Sequence, residues 1–471
     1  MRSLVLLAVL LNLGFPQEWH KEVFDTTDSP FRVSLALDSS GLPRVAYGWR
    51  KRLGNNIYSY ALRYAEYQGI NNWRIETIDS SNSAVADYFP FLCLDARGKP
   101  HVAFVKWSDD DSNCEIVYAF RDDTIWSIQS VDTFFHQPWN TEVSMALSQS
   151  GKPWIAYRGV INPGSGTALR YAVREGDTWH KQTLWTHPSH RAYSPSITVS
   201  SRGEPGIAFI VSTGSDIAVD SVLWMWRDST GWHTSCIDTL FLEGAGPSAQ
   251  LDSTDRAHVV YCYDDACLRY AVQEEGGWRK QSIHNISVGW YGYHDLKLDS
   301  RGLASIGAVR DLWWLPLYFY QNPPGVWHYE YVEGVNPYHP TFSNISLAFN
   351  RQGSPFLAYT REDTYNLVHF VVAQRVVGIE TQSPTPIPSL QFIVTPTIAR
   401  QFSLSFSADV AGELKIYTAD GSSVFTKSIP AGLRTLSWHA LTADGKPLPK
   451  GVYFVRFQTQ KHSASQKIVV H

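Results

Sequence analysis

The chain has 471 residues, a formal net charge of −4 at pH 7 and an aromatic content of 14%, including 18 Trp. This length suits two domains better than one, and many short apolar runs bounded by Gly, Pro, Asp and Ser favour an all-β fold. Residues 390–471 carry nine Lys/Arg and four Asp/Glu, and the rest has no basic stripe, which argues against a nucleic-acid-binding protein.

Residues 1–18 have the pattern of a secretory signal peptide. Arg2 supplies a positive start, residues 3–13 are almost wholly apolar, and Gly14 is a small residue near a cleavage point. This apolar run is too short to span a bilayer and no later stretch is long enough, so we expect no transmembrane segment. The alternative interpretation of this segment is a buried first strand.

In the residues that follow the predicted signal peptide, a structural unit recurs seven times. Each unit has an apolar strand, a tight turn, a second strand ending in an aromatic residue, and a third strand. The turns lie at Gly41, Gly98, Gly151, Gly203, Asp255, Gly302 and Gly353, spaced 47 to 57 residues apart. Such a turn needs a positive φ, which Gly adopts freely and Asp tolerates better than most residues. A fourth strand begins at Trp73, Trp126, Trp179, Trp232, Trp278 and Trp327. Four short strands per unit are typical of a β-propeller blade.

The seventh unit lacks its fourth strand, and the matching segment lies at the other end of the chain. Residues 19–26 begin with Trp19 and have the pattern of the missing strand. We therefore predict a seven-bladed β-propeller at 19–376 that the N-terminal strand closes, which removes open sheet edges. We expect the recurring Trp residues to pack between sheets. Six blades or an open solenoid are the alternatives.

Five Cys residues fit an oxidising compartment without forming a disulfide framework. Cys262 and Cys267 flank a tight connection between two strand-like runs. We predict a disulfide between them, with a structural role for the thiols.

Two sets of loops surround the funnel at one face of a propeller, where ligands usually bind. They are the loops that enter each first strand and the loops that join second to third strands. The entering loops hold Arg32, Asp87, Glu142, Arg191, Tyr193, Tyr293, His294 and Tyr338. The joining loops hold Arg50, Trp107, Arg158, Arg310, Trp313, Trp314 and Arg361.

These loops are rich in Arg, carboxylates and aromatic rings, which suits sugars and acidic groups. The ligand-binding candidates are Arg50, Trp107, Arg158, Tyr193, Tyr293, His294, Arg310, Trp313, Trp314 and Arg361. The catalytic candidates are Asp87, Glu142 and Tyr338, because paired carboxylates can serve glycoside hydrolysis. The acidic run at 109–113 has oxygen ligands at a density that calcium accepts, without the spacing of a known motif. We expect a solvated loop there, no metal site and no cofactor, with calcium as the alternative.

Residues 377–389 are Pro-rich and typical of a spacer, and strand-like segments follow at 390–471. Gly451, Val452, Tyr453 and Phe454, together with the terminal residues 467–470 (Lys-Ile-Val-Val), resemble the C-terminal sorting domain of the type IX secretion system. That immunoglobulin-like module is also similar to the domain of flagellar hook-capping proteins. The resemblance implies a partner in the secretion machinery and a protein that is secreted or held at the outer-membrane surface of a Gram-negative-type bacterium. The alternative is an adhesion or stalk module without a sorting role.

The larger part of the chain resembles the sialidase-like, or neuraminidase-type, superfamily of propellers. The approach to a fourth strand, as in Gly176, Asp177, Thr178 and Trp179, is similar to a degenerate Asp-box turn. The resemblance implies a site of three convergent Arg, a Tyr paired with Glu, and an Asp. The residues that would fill it are Arg50, Arg158, Arg310, Tyr338, Glu142 and Asp87.

Three functions stay open on these observations. The first is a binding module for an extracellular glycan or protein, favoured by strong scaffold repeats without a recognisable catalytic motif. The second is a glycoside hydrolase of sialidase-like type, which requires a deep pocket with three Arg and a close carboxylate pair. The third is a structural surface or adhesion component, for which a shallow funnel without clustered charge is expected.

Overall fold

The structure is a computed structural model, and it describes most of the chain after residue 18. The described residues are 19–29, 32–54, 57–81, 89–107, 113–135, 142–160, 167–188, 190–212, 220–240, 246–264, 267–285, 294–310, 315–333, 342–363, 367–375, 392–395, 398–406, 411–418, 422–430, 435–442, 444–458 and 463–470. The predicted signal peptide at 1–18 and linker at 377–389 lie outside them. The chain divides into two compact units, Met1–Gly378 and Ile379–His471. The described residues form strands and turns, and none of them belongs to a helix that could cross a membrane.

The first unit is built from antiparallel strands. They are β1 (Trp19–Thr27), β2 (Val33–Leu37), β3 (Pro43–Gly54), β4 (Ile57–Gly69), β5 (Asn72–Ser81), β6 (Phe91–Leu94), β7 (Pro100–Trp107), β8 (Asn113–Asp122), β9 (Ile125–Phe135), β10 (Val143–Leu147), β11 (Pro153–Val160), β12 (Thr167–Glu175), β13 (Thr178–Trp185), β14 (Arg191–Val199), β15 (Pro205–Ser212), β16 (Asp220–Asp228), β17 (Gly231–Leu240), β18 (Ser248–Leu251), β19 (Ala257–Asp264), β20 (Cys267–Glu274), β21 (Gly277–Asn285), β22 (His294–Leu298), β23 (Ala304–Arg310), β24 (Leu315–Gln321), β25 (Trp327–Tyr331), β26 (Phe342–Phe349), β27 (Pro355–Glu362) and β28 (Val368–Arg375).

These strands form seven four-stranded sheets, the blades of a propeller. Blades 1 to 6 are β2–β5, β6–β9, β10–β13, β14–β17, β18–β21 and β22–β25, and blade 7 is β26-β27-β28 with β1 as its outer strand. Within β1, Trp19 lies opposite Arg375 and Thr27 opposite Val368. The prediction of seven blades closed by the N-terminal strand is therefore confirmed.

The turns between first and second strands have the backbone conformation that their sequence requires. Gly41 has a φ of 78°, and Asp255, which stands at the equivalent position of blade 5, has a φ of 63°. The Asp255 carboxylate also accepts hydrogen bonds from the backbone N–H and the hydroxyl of Ser201 in the adjacent turn. This second role explains why an Asp is accommodated where the other blades have Gly.

The Trp that opens each outer strand packs against the preceding blade, as predicted. The rings of Trp126 and Tyr64, for example, have centroids 5.3 Å apart and cross at 72°. The indole N–H of Trp126 donates to Glu76, the residue three positions after the Trp of blade 1. The repeat of Trp with a polar residue three positions later thus joins neighbouring blades.

The second unit is a small β-sandwich. Its strands are β29 (Phe392–Thr395), β30 (Ile398–Ala399), β31 (Phe402–Phe406), β32 (Gly412–Thr418), β33 (Ser423–Ile429), β34 (Thr435–Trp438), β35 (Gly451–Gln458) and β36 (Ser463–Val470). One sheet has the order β29-β31-β34 and the other β30-β36-β35-β32-β33. Side chains of β35 alternate between buried and exposed, and Tyr453, Val455 and Phe457 enter a core that includes Trp438. The predicted immunoglobulin-like sandwich is confirmed.

The predicted disulfide falls partly outside the described residues. Cys262 is buried in β19 and lies opposite Leu268 in the strand register, with a register shift next to it. The side chain of Cys267 is not among those described, so the Cys262–Cys267 bond stays a prediction.

Candidate ligand-binding site

The first strand of each blade lines a central channel. The seven inner strands are β2, β6, β10, β14, β18, β22 and β26, and the space between them is a cavity of about 1150 Å³. We call the end where these strands begin the mouth. The described residues around the mouth are Arg32, Phe89, Glu142, Arg158, Arg191, Tyr193 and His294.

A belt of side-chain hydrogen bonds joins the inner strands just below the mouth. Ser34 accepts a hydrogen bond from the backbone N–H of Leu92 in the next blade at 2.9 Å. The same bond recurs in the pairs Ser144–Ile197, Ser196–Ala249, Ser248–Leu296, Asp295–Leu347 and Ser346–Leu35. Blade 2 has Phe91 at this position, and there Cys93 Sγ donates to the Met145 carbonyl at 3.4 Å. The belt satisfies backbone donors that the inner sheet edges would otherwise leave without partners.

One ion pair crosses the mouth from blade 1 to blade 3. Arg32 Nη2 donates to Glu142 Oε1 at 3.0 Å, although the residues are 110 positions apart. On the way, the Arg32 guanidinium lies over the Phe89 ring of blade 2, 4.6 Å from its centroid. The other oxygen, Glu142 Oε2, is buried and has no hydrogen-bond partner among the described residues. The pair thus fixes a carboxylate at the mouth.

The remaining side chains of the mouth are held by the blades beneath them. Tyr193 donates to Asp220 Oδ2 at 2.6 Å, and His294 Nε2 donates to the Val260 carbonyl at 3.3 Å. Arg158 lies within β11 and is 8% exposed, whereas Arg191 is exposed. The mouth therefore combines preorganised groups with one solvent-facing guanidinium.

The described lining of the channel carries more positive than negative charge. Its cations are Arg32, Arg158, Arg191 and Lys297, and its carboxylates are Glu142 and Asp295. Asp295 accepts hydrogen bonds from the Leu347 N–H at 2.8 Å, from Ser346 and from Lys297. Its carboxylate is therefore engaged in the belt. An anionic ligand would meet a net positive surface at the mouth.

At its far end the channel has an apolar lining. The far end is lined by Leu37, Leu94, Leu147, Val199, Leu251 and Phe349. Cys93 lies between this end and the belt, and burial raises the pKa of its thiol to about 12. A neutral thiol is a poor nucleophile, so Cys93 is not suited to covalent catalysis.

The structure brings four of the predicted site residues together. Glu142, Arg158, Tyr193 and His294 all line the mouth. Three others lie elsewhere: Trp107 is 7% exposed inside an apolar cluster, Arg50 lies over the Tyr58 ring and donates to the Asp28 carbonyl, and Arg361 forms an ion pair with Glu333. These three side chains contact neighbouring strands and blades and do not line the channel.

The other predicted residues lie outside the described part of the chain. They are Asp87, Tyr293, Trp313, Trp314, Tyr338 and the side chain of Arg310, together with the acidic residues 109–112. Among the residues that are described, no group of three or more His, Cys, Asp or Glu side chains could hold a metal ion.

Several groups of the channel are not among the candidates that the sequence predicts. The sequence puts Arg32 and Arg191 in the entering loops without marking them as ligand candidates, and it gives no signal for Phe89, Asp295 or Lys297. The belt does have a sequence signal, a Ser between two apolar residues at the start of a first strand, as at Ser34 and Ser144. The partners of Arg32 have no such signal because they come from two other blades.

Comparison with known families identifies the second unit. Residues 397–471 match the family described as secretion system C-terminal sorting domain, which confirms the resemblance found in the sequence. The chain is accordingly an exported protein, secreted or held at the cell surface of a Gram-negative-type bacterium. No curated protein matches the chain.

Solved structures similar to the chain include carbohydrate-active proteins. An ulvan lyase, a polysaccharide lyase bound to GlcA(1-4)Rha3S, has a TM-score of 0.52 and 11% identity, and covers 77% of this chain and 99% of its own. The α-L-arabinanase of Penicillium chrysogenum complexed with arabinobiose has a TM-score of 0.43 and 13% identity, over 62% of this chain and 93% of its own. AofleA from Arthrobotrys oligospora has a TM-score of 0.44 and 13% identity, over 69% and 92%. At such identities the likeness concerns the fold alone.

Proposed function

We propose that this exported propeller binds an acidic glycan at the mouth of its channel. The observation that carries the proposal is the grouping of Arg32, Arg158 and Arg191 with the rings of Phe89 and Tyr193 around a cavity of about 1150 Å³. Guanidinium groups match carboxylate oxygens with two parallel hydrogen bonds, and apolar walls with few polar groups are typical of ligand pockets.

The shape of the site favours a glycan over a folded protein partner. Stable protein interfaces are broad surfaces, whereas the channel is a concave space that admits a chain or a chain end. A flexible polysaccharide segment fits such an opening. Glu142 supports this assignment because its side chain is 20% exposed at the mouth and a carboxylate can accept a hydrogen bond from a sugar hydroxyl.

Delivery to the cell exterior is consistent with this ligand, since polysaccharides are encountered there. The ulvan lyase of similar fold was solved with a glycan that contains a uronic acid and a sulfate group. This parallel supports an acidic glycan, although a shared fold does not imply a shared ligand. The proposed organisation is a signal peptide at 1–18, a propeller at 19–376, a linker at 377–389 and a sorting domain at 390–471.

Binding rather than cleavage is the activity that the described groups support. Hydrolysis of a glycosidic bond needs two carboxyl groups on either side of the bond. Of the two described carboxylates in the channel, Asp295 is engaged in the belt by Lys297, Ser346 and the Leu347 N–H. Glu142 then remains as the carboxylate that faces a ligand, which suits orientation of a bound sugar.

The test is a glycan array probed with the purified full chain, followed by calorimetry on the best acidic ligand. We expect uronate-containing or sulfated glycans to bind, with affinity that falls as salt rises. Arg191→Ala should weaken binding about tenfold or more, the effect of losing one charged hydrogen bond. Arg97→Ala is the matched control, because Arg97 is also an exposed arginine but lies in the turn after β6, away from the mouth.

Preference for neutral glycans, or equal binding by both variants, would contradict the proposal. Glycan fragments released during the incubation would show that the protein is a glycan-cleaving enzyme.

A further inference from the structure

The larger sheet of the second unit has a buried face and an outer face. Tyr453, Val455 and Phe457 of β35 enter the core of the sandwich, whereas the residues that alternate with them point outward. Two of the outward residues are Val452, which is 36% exposed, and Phe454, which is 41% exposed. They are the exposed large apolar side chains of the second unit, within the part of it that the structure describes. Both belong to the segment that carries the sorting-domain resemblance, yet both lie outside the core.

Strand register places two further apolar side chains beside them. Val469 of β36 lies opposite Val452, and Tyr417 of β32 lies opposite Phe454. Directly opposite residues of an antiparallel pair have Cβ atoms about 4.5–5.5 Å apart. Val469 and Tyr417 are half-buried. The four side chains therefore form one apolar strip across β36, β35 and β32, the three central strands of the sheet.

Two cations lie next to this strip on the same face of the sheet. Arg456, two positions after Phe454, lies opposite Lys415 in the strand register. Like charges at directly opposite positions destabilise a sheet. The Glu413 carboxylate, 2.7 Å from Lys415 Nζ, raises the pKa of Lys415, while the charge of Arg456 acts against that rise. Arg456 itself is exposed.

We call the strip and the two cations the outer patch: Tyr417, Val452, Phe454, Val469, Lys415 and Arg456. The folding of the sandwich does not account for this arrangement. Apolar side chains in contact with water contribute little to stability, and opposed cations repel each other. Exposed apolar residues that are adjacent rather than scattered mark interaction sites.

The charge of the second unit indicates what kind of partner would fit the outer patch. Residues 397–471 carry nine Lys/Arg and four Asp/Glu, so an acidic surface is attracted to the unit. Aromatic residues and Arg are enriched in protein interfaces, and the outer patch offers Phe454 beside Arg456. A guanidinium group pairs with a carboxylate through two parallel hydrogen bonds.

We propose that the second unit contacts the secretion machinery through the outer patch, and that the partner presents an apolar groove bordered by carboxylates. The match of residues 397–471 to the sorting-domain family implies recognition during export. It is the outer patch that gives this recognition a surface. The proposal does not depend on glycan binding by the propeller.

The other residues of the family segments are unsuited to direct contact. Tyr453 is buried and donates its hydroxyl to the Pro449 carbonyl at 2.9 Å, and Ile468 and Val470 are buried in the same core. Replacing any of them would disturb the fold of the unit. Only substitutions on the outer face can separate recognition from folding.

The test measures export of the full chain in a host with type IX machinery, by immunoblotting of the periplasm, the cell surface and the medium. Replacing Val452 and Phe454 together by Thr removes much of the apolar strip but keeps a residue type that favours strands. The exported fraction should fall about tenfold or more. Arg456→Glu should lower it similarly. Lys446→Glu is the matched control and should be exported normally, because Lys446 is an exposed cation in a turn outside the sheet.

Trypsin resistance of the purified variants reports whether the second unit is folded. Arg456 is exposed, so Arg456→Glu leaves the core intact and decides the test if the double variant is degraded. Normal export of Arg456→Glu or of a folded double variant would overturn the proposal, as would an equal loss of export in Lys446→Glu. A full-length dimer that dissociates in the double variant would show that a second copy covers the outer patch, which would also overturn it.

Discussion

The hydroxyl of Tyr157 donates a 2.8 Å hydrogen bond to Oδ2 of Asp132, a carboxylate on the outer strand of the preceding blade. Arg170 Nη1 lies 2.7 Å from the same oxygen, and Lys181 Nζ lies 3.0 Å from the other. The same arrangement recurs in the sets Asp25–Tyr47–Arg63, Asp238–Tyr261–Arg269 and Glu333–Tyr359–Arg361. A buried or half-buried carboxylate thus joins neighbouring blades at four of the interfaces between them.

Replacing Asp132 by Ala should lower the free energy of unfolding by about 2–3 kcal/mol, because a buried hydroxyl and two cations lose their partner. The loss is smaller than for a fully buried pair, since the Lys181 side chain is 39% exposed. Urea denaturation measures it. Asp177→Ala is the control: that side chain is 97% exposed and pairs with Arg174, so its removal should change stability by about 0.5 kcal/mol or less. An equal decrease in the free energy of unfolding of the two variants would show that Asp132 stabilises the fold no more than an exposed carboxylate does.

Acid should remove the contribution that Asp238 makes to the free energy of unfolding. Burial acts to raise the pKa of this carboxyl, but hydrogen bonds from Lys280, Arg269 and Tyr261 outweigh it and lower the pKa below its usual value. A lowered pKa in the folded state stabilises the fold above about pH 4, where the unfolded chain is ionised, and this stabilisation is lost as the pH falls through the folded-state pKa. The stability difference between wild type and Asp238→Asn should therefore be largest near neutral pH and shrink below about pH 4. A difference that is constant or grows in acid would refute this linkage.

Ring closure should depend on Trp19. This side chain is 6% exposed, and its ring meets Tyr318 at a centroid distance of 5.5 Å. Trp19→Ala should cost about 3 kcal/mol or more, and deletion of residues 19–26 should also lower solubility by exposing β28 as a sheet edge. Val23→Ala on the same strand is the control, because Val23 is 42% exposed. Melting temperatures that do not separate Trp19→Ala from the control would argue against the closure.

Export should depend on the second unit. We expect a protein lacking residues 397–471 to accumulate in the periplasm of a host with type IX machinery, since these residues match the sorting-domain family. The unit has a core of its own around Trp438 and Tyr453, so residues 377–471 fused to an unrelated folded protein should carry it out of the cell. Fractionation and immunoblotting of both proteins provide the measurement. Normal secretion of the truncated protein would leave the unit as a stalk.

The repeating parts of this protein could be predicted from the sequence because they depend on local conformation. A turn that needs positive φ selects Gly41 and tolerates Asp255, and this requirement is independent of distant residues. The Trp at the start of each outer strand marks the blade period, so Trp19 identifies the strand that closes the ring. Chain connectivity also decides which loops emerge at the mouth, and Glu142, Arg158, Tyr193 and His294, which were expected there, line one cavity.

Only the tertiary structure decides which residues of a neighbouring blade a side chain contacts. Alternation along a strand shows which face a residue occupies, but not which residue of another blade meets it. Arg32 passes over Phe89 to reach Glu142 two blades away, and Arg361, expected at the mouth, pairs with Glu333 instead. Val372 looks like an ordinary strand residue in the sequence. Only the closed ring shows that it packs in one apolar cluster with Phe24 and Trp73, because residues from both ends of the propeller form the interface between blades 7 and 1.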